Sequence, residues 1–333
     1  MRRALLLCLG LALLLPACAA ASPDTEPTST GSTPAPTSEG PVGTTVATTP
    51  TTSASTTTVA TAPTSTAPAV SSTTTAPALP TTTLPSDITV FPYFYVDEAG
   101  HPNRPGPFLV PISREVPATK AVAGAAIGQL LAGPSDGERE GVPAISTAVP
   151  EGTRLLGLTI SEGIATVDLS SAFEADDDAA AAAARIAQVV FTLSRFPTVA
   201  EVLFRQDGVA LDVPTGDGRL VSRPVSIADY LEFAAAIHVE QPGYRGQGAN
   251  PLHVMGFGAV FEASFNYALT DDDGLIIAEG IAMTGNGSGW GGFDFTIDYE
   301  VDREQTGALI VWAHSAENGS KIDVREYPVG LIP

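Results

Sequence analysis

The stretch RLLGLTISEGIATVDL, residues Arg154–Leu169, decides the fold of the first half of the chain. Two runs rich in Leu, Ile, Val and Thr, Arg154–Ile160 and Ile164–Leu169, flank the polar triplet Ser161-Glu162-Gly163. That is the pattern of two strands joined by a tight hairpin. Downstream, Asp176, Asp177 and Asp178 set carboxylates where the positive end of a helix dipole falls, and Ile186, Val189, Val190 and Leu193 recur with helical spacing up to Phe196. Pro197 stops that helix and Val199–Phe204 reads as a further strand. A strand pair, a helix and a returning strand call for a sheet covered by helices.

Upstream, Ile88–Val96 and Phe108–Ile112 read as two more strands. Thr119 suits the N-cap of a helix whose Ala123, Ala126, Ile127, Leu130 and Leu131 share a face and which Gly133-Pro134 closes. The order β-β-α-β-β-α-β predicts an α+β domain, a mixed sheet with two helices on one face. Residues 86–333 exceed what one compact core usually holds, so two domains are expected, over residues 86–232 and 236–333. The second reads as strands alone. Phe261, Ala263, Phe265, Tyr267 and Leu269 alternate with Glu262, Ser264, Asn266 and Ala268, and Phe293, Phe295, Ile297, Tyr299 and Val301 repeat the pattern against Asp294, Thr296, Asp298 and Glu300. With Ile237–Glu240, Leu252–Met255, Leu275–Ala282, Ala308–Ala313 and Ile322–Arg325 this makes seven strands, the requirement of an immunoglobulin-like sandwich.

The N-terminus has a different character. Met1-Arg2-Arg3, the apolar run Ala4–Leu15 and then Leu15-Pro16-Ala17-Cys18 form the charged, hydrophobic and small-residue parts of a secretory signal over residues 1–17. The run is shorter than the ~20 apolar residues that a permanent membrane span needs. Leu15–Cys18 resembles the bacterial lipobox, although proline at its second position departs from the common pattern. The resemblance implies that Cys18 becomes a lipid-modified N-terminus, anchoring the chain outside the cytoplasm on the outer face of the cytoplasmic membrane. Cys8 falls in the signal, so no cysteine remains for disulfide, zinc or thiol chemistry. Beyond it, residues 18–85 form a Thr/Pro/Ser/Ala-rich stalk. Ser22–Pro85 holds 23 Thr and 11 Pro with no Lys, Arg or aromatic residue, a composition that predicts disorder. As a flexible coil it would average about 45 Å end to end.

The whole chain sets 37 carboxylates against 16 Lys and Arg, for a net charge of −21, and loss of Arg2 and Arg3 with the signal takes this to −23. Such a protein is repelled by phosphate backbones, so nucleic acid is excluded as a partner.

Several short motifs carry a family resemblance. Arg114-Glu115-Val116-Pro117-Ala118-Thr119, Gln129-Leu130-Leu131-Ala132-Gly133-Pro134, Val149-Pro150-Glu151-Gly152-Thr153-Arg154-Leu155-Leu156, Ala165-Thr166-Val167-Asp168-Leu169-Ser170 and Phe196-Pro197-Thr198-Val199 resemble, in this order and as far as about Tyr230, the GerMN domain of sporulation and germination proteins. That domain also occurs in actinobacterial lipoproteins. Pro251-Leu252, Gly258-Ala259-Val260-Phe261-Glu262-Ala263 and Trp290-Gly291-Gly292-Phe293 resemble the immunoglobulin-like domain of bacterial spore germination proteins. The resemblance implies a non-enzymatic lipoprotein that binds or scaffolds in sporulation, germination or envelope processes, with an envelope protein or its own copy as partner. Some lipoproteins with the first domain are accessories of a sensor kinase, which is a further expectation.

No enzyme active site, metal site or cofactor site is legible. Gly287-Ser288-Gly289-Trp290-Gly291-Gly292 fits the spacing of a dinucleotide loop, but a strand follows where a helix is needed. Asp271-Asp272-Asp273-Gly274 lacks the later ligands of a calcium loop and reads as a turn. His101, His238, His253 and His314 have no metal-ligand spacing, and there is no G-x-S-x-G elbow. Trp290 and Trp312 are the candidate ligand contacts, since exposed aromatics on a sandwich can stack on sugar rings, although core packing explains each as well. Two alternatives to scaffolding stand: a module binding peptidoglycan or wall polysaccharide, and a wall hydrolase whose paired carboxylates sequence alone does not locate.

Overall fold

The computed structural model describes residues 86–96, 106–174 and 178–333. The signal sequence, Cys18, the stalk, His101, Asp176 and Asp177 lie outside the described residues. Among the described residues no helix is long and apolar enough to cross a membrane.

The α+β part runs β1 (Asp87–Val90), β2 (Tyr93–Val96), β3 (Phe108–Pro111), β4 (Arg114–Pro117), α1 (Val122–Ala132), α2 (Asp136–Arg139), β5 (Ile145–Ser146), β6 (Leu155–Ser161), β7 (Ile164–Leu169), α3 (Ala179–Ser194), β8 (Glu201–Gln206), β9 (Val209–Ala210), β10 (Val213–Pro214) and β11 (Leu220–Val221). The hairpin β6–β7 turns at Glu162 and Gly163, both in the left-handed region at φ 52° and 83°. Glycine at the second position suits this turn because it has no Cβ to clash. From β7 the chain crosses through α3 and returns as β8, parallel to β7, with Ala165 beside Val202 and Val167 beside Phe204. β9 completes a mixed sheet in the order β6-β7-β8-β9.

Two sequence expectations change here. The run Ile88–Val96 is two strands, because Pro92 has no N–H to give a ladder; its carbonyl accepts instead from Ile112 N at 2.9 Å. β1 then pairs with β4, and β2 lies between β3 and β5, so the strands expected in one sheet are spread over three small ones alongside β10–β11. Thr119 is not the N-cap: its hydroxyl accepts from Ala121 N at 3.1 Å, closing a local turn, and α1 starts at Val122. Ala123, Ala126, Ile127 and Leu130 are buried as expected, and Gly133 ends the helix at φ 76° with its N–H on Leu130 O.

α3 is capped by Asp178, whose carboxylate accepts from Ala181 N at 2.9 Å. Its predicted stripe of Ile186, Val189, Val190 and Leu193 is buried, but so are Gln188, Phe191 and Thr192. The reason lies in β5, which is two residues long and reaches only Tyr95 and Val96 of β2. At Tyr93 the helix takes its place: Tyr93 N donates to Thr192 Oγ1 at 3.0 Å, and Gln188 Nε2 donates to Tyr93 O at 2.9 Å. Gln188 Oε1 also accepts from Ala148 N at 2.6 Å.

The all-β part contains β12 (Ile237–Gln241), β13 (Gly246–Gly248), β14 (Leu252–Gly258), β15 (Ser264–Thr270), β16 (Ile276–Met283), β17 (Gly291–Ile297), β18 (Gln305–His314) and β19 (Lys321–Leu331). They form two sheets, β12-β14-β17 and β13-β19-β18-β15-β16. The eighth strand, β13, is short and glycine-rich, offers no alternation to read, and runs parallel to β19. The alternation of Phe293–Val301 holds in burial, yet β17 ends at Ile297; Tyr299 reaches the core from the following loop, its hydroxyl 2.6 Å from Ile332 O and 2.9 Å from Gly248 O, either of which can accept its proton. β15 begins at Ser264, since Phe261–Ala263 forms a 3₁₀ turn with Glu262 and Ala263 at positive φ, and Phe261 is exposed.

One hydrophobic core runs without a break from Tyr93 and Phe94 through α3 to Val239, Leu309 and Leu331. The joining residues Ala234, Ala235, Ala236 and Ile237 are all buried.

Gln188→Leu keeps most of the volume and removes the three hydrogen bonds of the amide, to Tyr93 O, Ala148 N and Thr147 Oγ1, leaving the buried Tyr93 O without its side-chain partner. A loss of about 2–4 kcal/mol in unfolding free energy is expected from denaturant titration; a change below about 0.5 kcal/mol would show that the helix does not replace the strand.

Candidate functional site

Among the described residues, two places bring buried chemistry-bearing side chains together. The first is the seam between the α+β and all-β parts. His238 on β12 is wholly buried, stacked on the Tyr93 ring at 5.8 Å and 14°, edge-on to Phe191 at 5.7 Å, and 4.7 Å from Phe257 of β14. Trp290 extends the chain of rings, 5.5 Å from Phe257. Around it, Tyr93 Oη donates to Glu240 Oε1 at 3.0 Å, Arg195 Nη1 donates to Glu240 O at 2.8 Å, and the Arg195 guanidinium lies 4.5 Å from the Phe91 ring. Tyr244 N donates to Pro111 O at 2.9 Å, and the Arg325 guanidinium sits 4.3 Å from the Phe108 ring. Neither ring nitrogen of His238 has a hydrogen-bond partner among the described residues. Burial pushes its pKa down to about 3, and the Arg195 guanidinium pushes the same way, so the ring is neutral.

The second is a cleft of about 250 Å³ in the α+β part. It is lined by Phe173 of the 3₁₀ turn Ser171–Phe173 and the following Glu174, by the capping Asp178 with Ala182, Arg185 and Ile186 of α3, and by Leu211, Asp212, Val213, Pro214, Gly218 and Leu220 around the β10–β11 hairpin. Phe173 stacks on Phe204 of β8 at 6.3 Å and 10°, which fixes its ring. The buried Arg185 guanidinium lies 5.7 Å from the same ring. Apolar walls with three carboxylates against one guanidinium suit a small ligand with an apolar body and a cationic group. Sequence reasoning passed over Phe173, Arg185 and Asp212; the available signal was an arginine interrupting the apolar run of α3.

The other sequence candidates have local partners. Trp312 is half-buried on the outer face of the five-stranded sheet, with Lys321 Nζ 3.8 Å from its ring centroid and its Nε1 donating to His314 Nε2 at 3.4 Å. His314 Nδ1 meets Gly319 O at 2.9 Å. His253 Nε2 lies 2.7 Å from Asp294 Oδ1. Asp271 Oδ1 accepts from the N–H groups of Asp273 and Leu275, and Asp272 pairs with Arg303 at 2.8 Å, the geometry of a closed turn. In the glycine-rich loop, Asn286 Oδ1 accepts from Ser288 N at 3.1 Å, and β17 follows directly. Among the described residues no group of three or more His, Cys, Asp or Glu side chains is placed to hold a metal ion.

Comparison with known families agrees with this architecture. Residues 92–212 match the Germane family, described as sporulation and spore germination, and residues 236–320 match the Gmad2 family, the immunoglobulin-like domain of bacterial spore germination. Neither description names a catalytic activity. No curated protein matches the chain. Among solved structures, a candidate lipoprotein from Clostridium perfringens is 21 % identical over 43 % of this chain and 90 % of its own, at a TM-score of 0.29. The first GerMN domain of the sporulation protein GerM from Bacillus subtilis is 21 % identical over 41 % of this chain and 97 % of its own, at 0.32. The tandem GerMN domains of GerM are 17 % identical over 63 % of this chain and 62 % of their own, at 0.31.

His238 gives the seam a pH signature. The unfolded ring takes up a proton below about pH 6.5 and the folded ring only near 3, so the protein loses stability as pH falls through that window. Between pH 7 and 4.5 this amounts to about 3 kcal/mol. His238→Leu is expected to remove that share of the acid sensitivity in unfolding titrations at the two pH values. Equal sensitivity in both proteins would show that the ring is protonated or solvated in the fold.

Proposed function

We propose that this chain, which joins a GerMN domain to the immunoglobulin-like domain of bacterial spore germination, is a non-enzymatic binding and scaffolding module of the cell envelope. The seam carries this reading. Rings from both domains interlock around His238, and the connecting residues are buried, so the two domains present their surfaces in one fixed relation. Fixed relative placement of two surfaces is what a scaffold supplies, whereas flexibly linked domains act as independent binders.

The sequence of the first 18 residues supports an extracytoplasmic place, with lipid on Cys18 as the anchor and residues 18–85 as the spacer that lifts both domains off the membrane. The chain's acidity supports a protein partner over nucleic acid. At the tryptophans, the Lys321 ammonium lies over the Trp312 ring and Trp290 packs on Phe257, so neither presents an unobstructed stacking platform.

The test is capture by immobilised residues 86–333 of material from purified cell wall and, separately, from detergent-solubilised membranes of the native host, with mass spectrometry of bound proteins. A small reproducible set of membrane proteins is the expected outcome. Retention on protein-free wall would instead support a carbohydrate-binding module, and release of soluble wall fragments would support a hydrolase.

A further inference from the structure

β16 is an edge strand: β15 pairs with it on one side, and among the described residues no strand pairs with it on the other. Edge strands in soluble proteins are commonly blunted by lysine, proline or a covering loop. In β16, sequence IIAEGIAM, there is neither lysine nor proline, and Glu279 is the single charge. Apart from Glu279, its exposed face and flanks are apolar. Leu275, Ile276, Ile281, Met283 and Phe261 are each between 59 and 72 % exposed, and these five are nearly half of the eleven large apolar side chains exposed among the described residues. Met283 stands opposite Ser264, and Ile281 opposite Asn266, which in turn faces Trp312, so the exposed side chains continue onto the outer face of the sheet. An open ladder beside an apolar strip is the geometry that accepts an added strand.

Charge selects the occupant. Between Arg245 and Arg303 the sequence has no Lys or Arg but nine carboxylates, namely Glu262, Asp271, Asp272, Asp273, Glu279, Asp294, Asp298, Glu300 and Asp302. Asp272 is paired with Arg303. Asp273 lies at one end of β16, Glu262 beside Phe261 at the other, and Glu279 in the strand itself, all three exposed. A second copy laid along the strand would bring this acidic field against itself, and an anionic membrane surface would meet the same repulsion.

We propose that β16 is a docking edge for an extended segment of a partner protein, apolar at alternate positions and flanked by Lys or Arg. The segment adds as a strand beside β16, its apolar side chains resting on Ile281 and Met283 and its cations reaching Asp273 and Glu262. This rests on the scaffolding function and gives its partner a chemistry.

The test uses the full chain and two labelled nine-residue peptides, Lys-Lys-Val-Thr-Val-Thr-Val-Lys-Lys and the same core flanked by Glu, followed by fluorescence anisotropy at low and physiological salt. The lysine-flanked peptide is expected to bind at least about tenfold more tightly than the glutamate-flanked one, with a gap that narrows as salt rises. Ile281→Thr combined with Met283→Thr is expected to abolish binding, and Glu262→Gln combined with Glu279→Gln to weaken it, both with unchanged far-ultraviolet circular dichroism. If the threonine pair fails to fold, the glutamine pair still decides. Equal binding of the two peptides, absence of binding, or indifference to the substitutions would overturn the proposal. So would a dimer, seen by sedimentation, that the threonine pair disrupts, because the occupant would then be a second copy. Each of these outcomes is separable from the capture of membrane proteins, which the GerMN surface alone can sustain.

Discussion

Tyr93 holds a position on which both halves of the molecule depend. Its strand neighbour β5 stops short, and the amide of Gln188 and hydroxyl of Thr192 meet the backbone groups that a longer strand would have paired. A buried, unmet peptide group costs on the order of 1–3 kcal/mol, so these two side chains are what allow a helix to sit where a strand would otherwise be needed. With its backbone fixed there, the Tyr93 ring stacks on His238 and its hydroxyl reaches Glu240, across the seam. Tyr93 thus serves both the packing of α3 and the seam, where the Arg195–Glu240, Tyr244–Pro111 and Arg325–Phe108 contacts act with it.

The same region shows why part of the structure was legible in the sequence and part was not. The β6–β7 hairpin, α3, β8 and the alternation through Phe293–Ile297 are legible because each is decided by local periodicity and turn chemistry. Pro92 is hidden in a run of β-forming residues that masks a change of sheet, and Thr119 has the residue type of a helix cap while its hydroxyl serves a turn. Gln188 and Thr192 gave no signal, since polar residues beside an apolar stripe ordinarily face solvent. Their burial comes from a second packing surface that only the tertiary fold supplies.

The candidate sites divide in the same way. Trp290 and Trp312 stood out by residue type, and the structure gives one a place among packed rings and the other a lysine over its face. The cleft at Phe173, Arg185 and Asp212 is assembled from three segments far apart in the chain, and the open edge of β16 depends on which strand lies last in a sheet. Neither the assembly of a cleft nor the order of strands is a local property, which is why motif reading passes over both.

Burial of Ala234–Ile237 has a consequence for descent as well as for mechanics. Two families that meet at an exposed linker can be exchanged between genes as separate cassettes. Here an incoming immunoglobulin-like domain would need its own counterparts of His238, Glu240, Tyr244, Phe257 and Arg325 to close against Tyr93, Phe191, Pro111 and Phe108. Recombination at that boundary would expose the interlocked rings of both partners. The two halves of this chain share one core, so neither can be exchanged without rebuilding the seam.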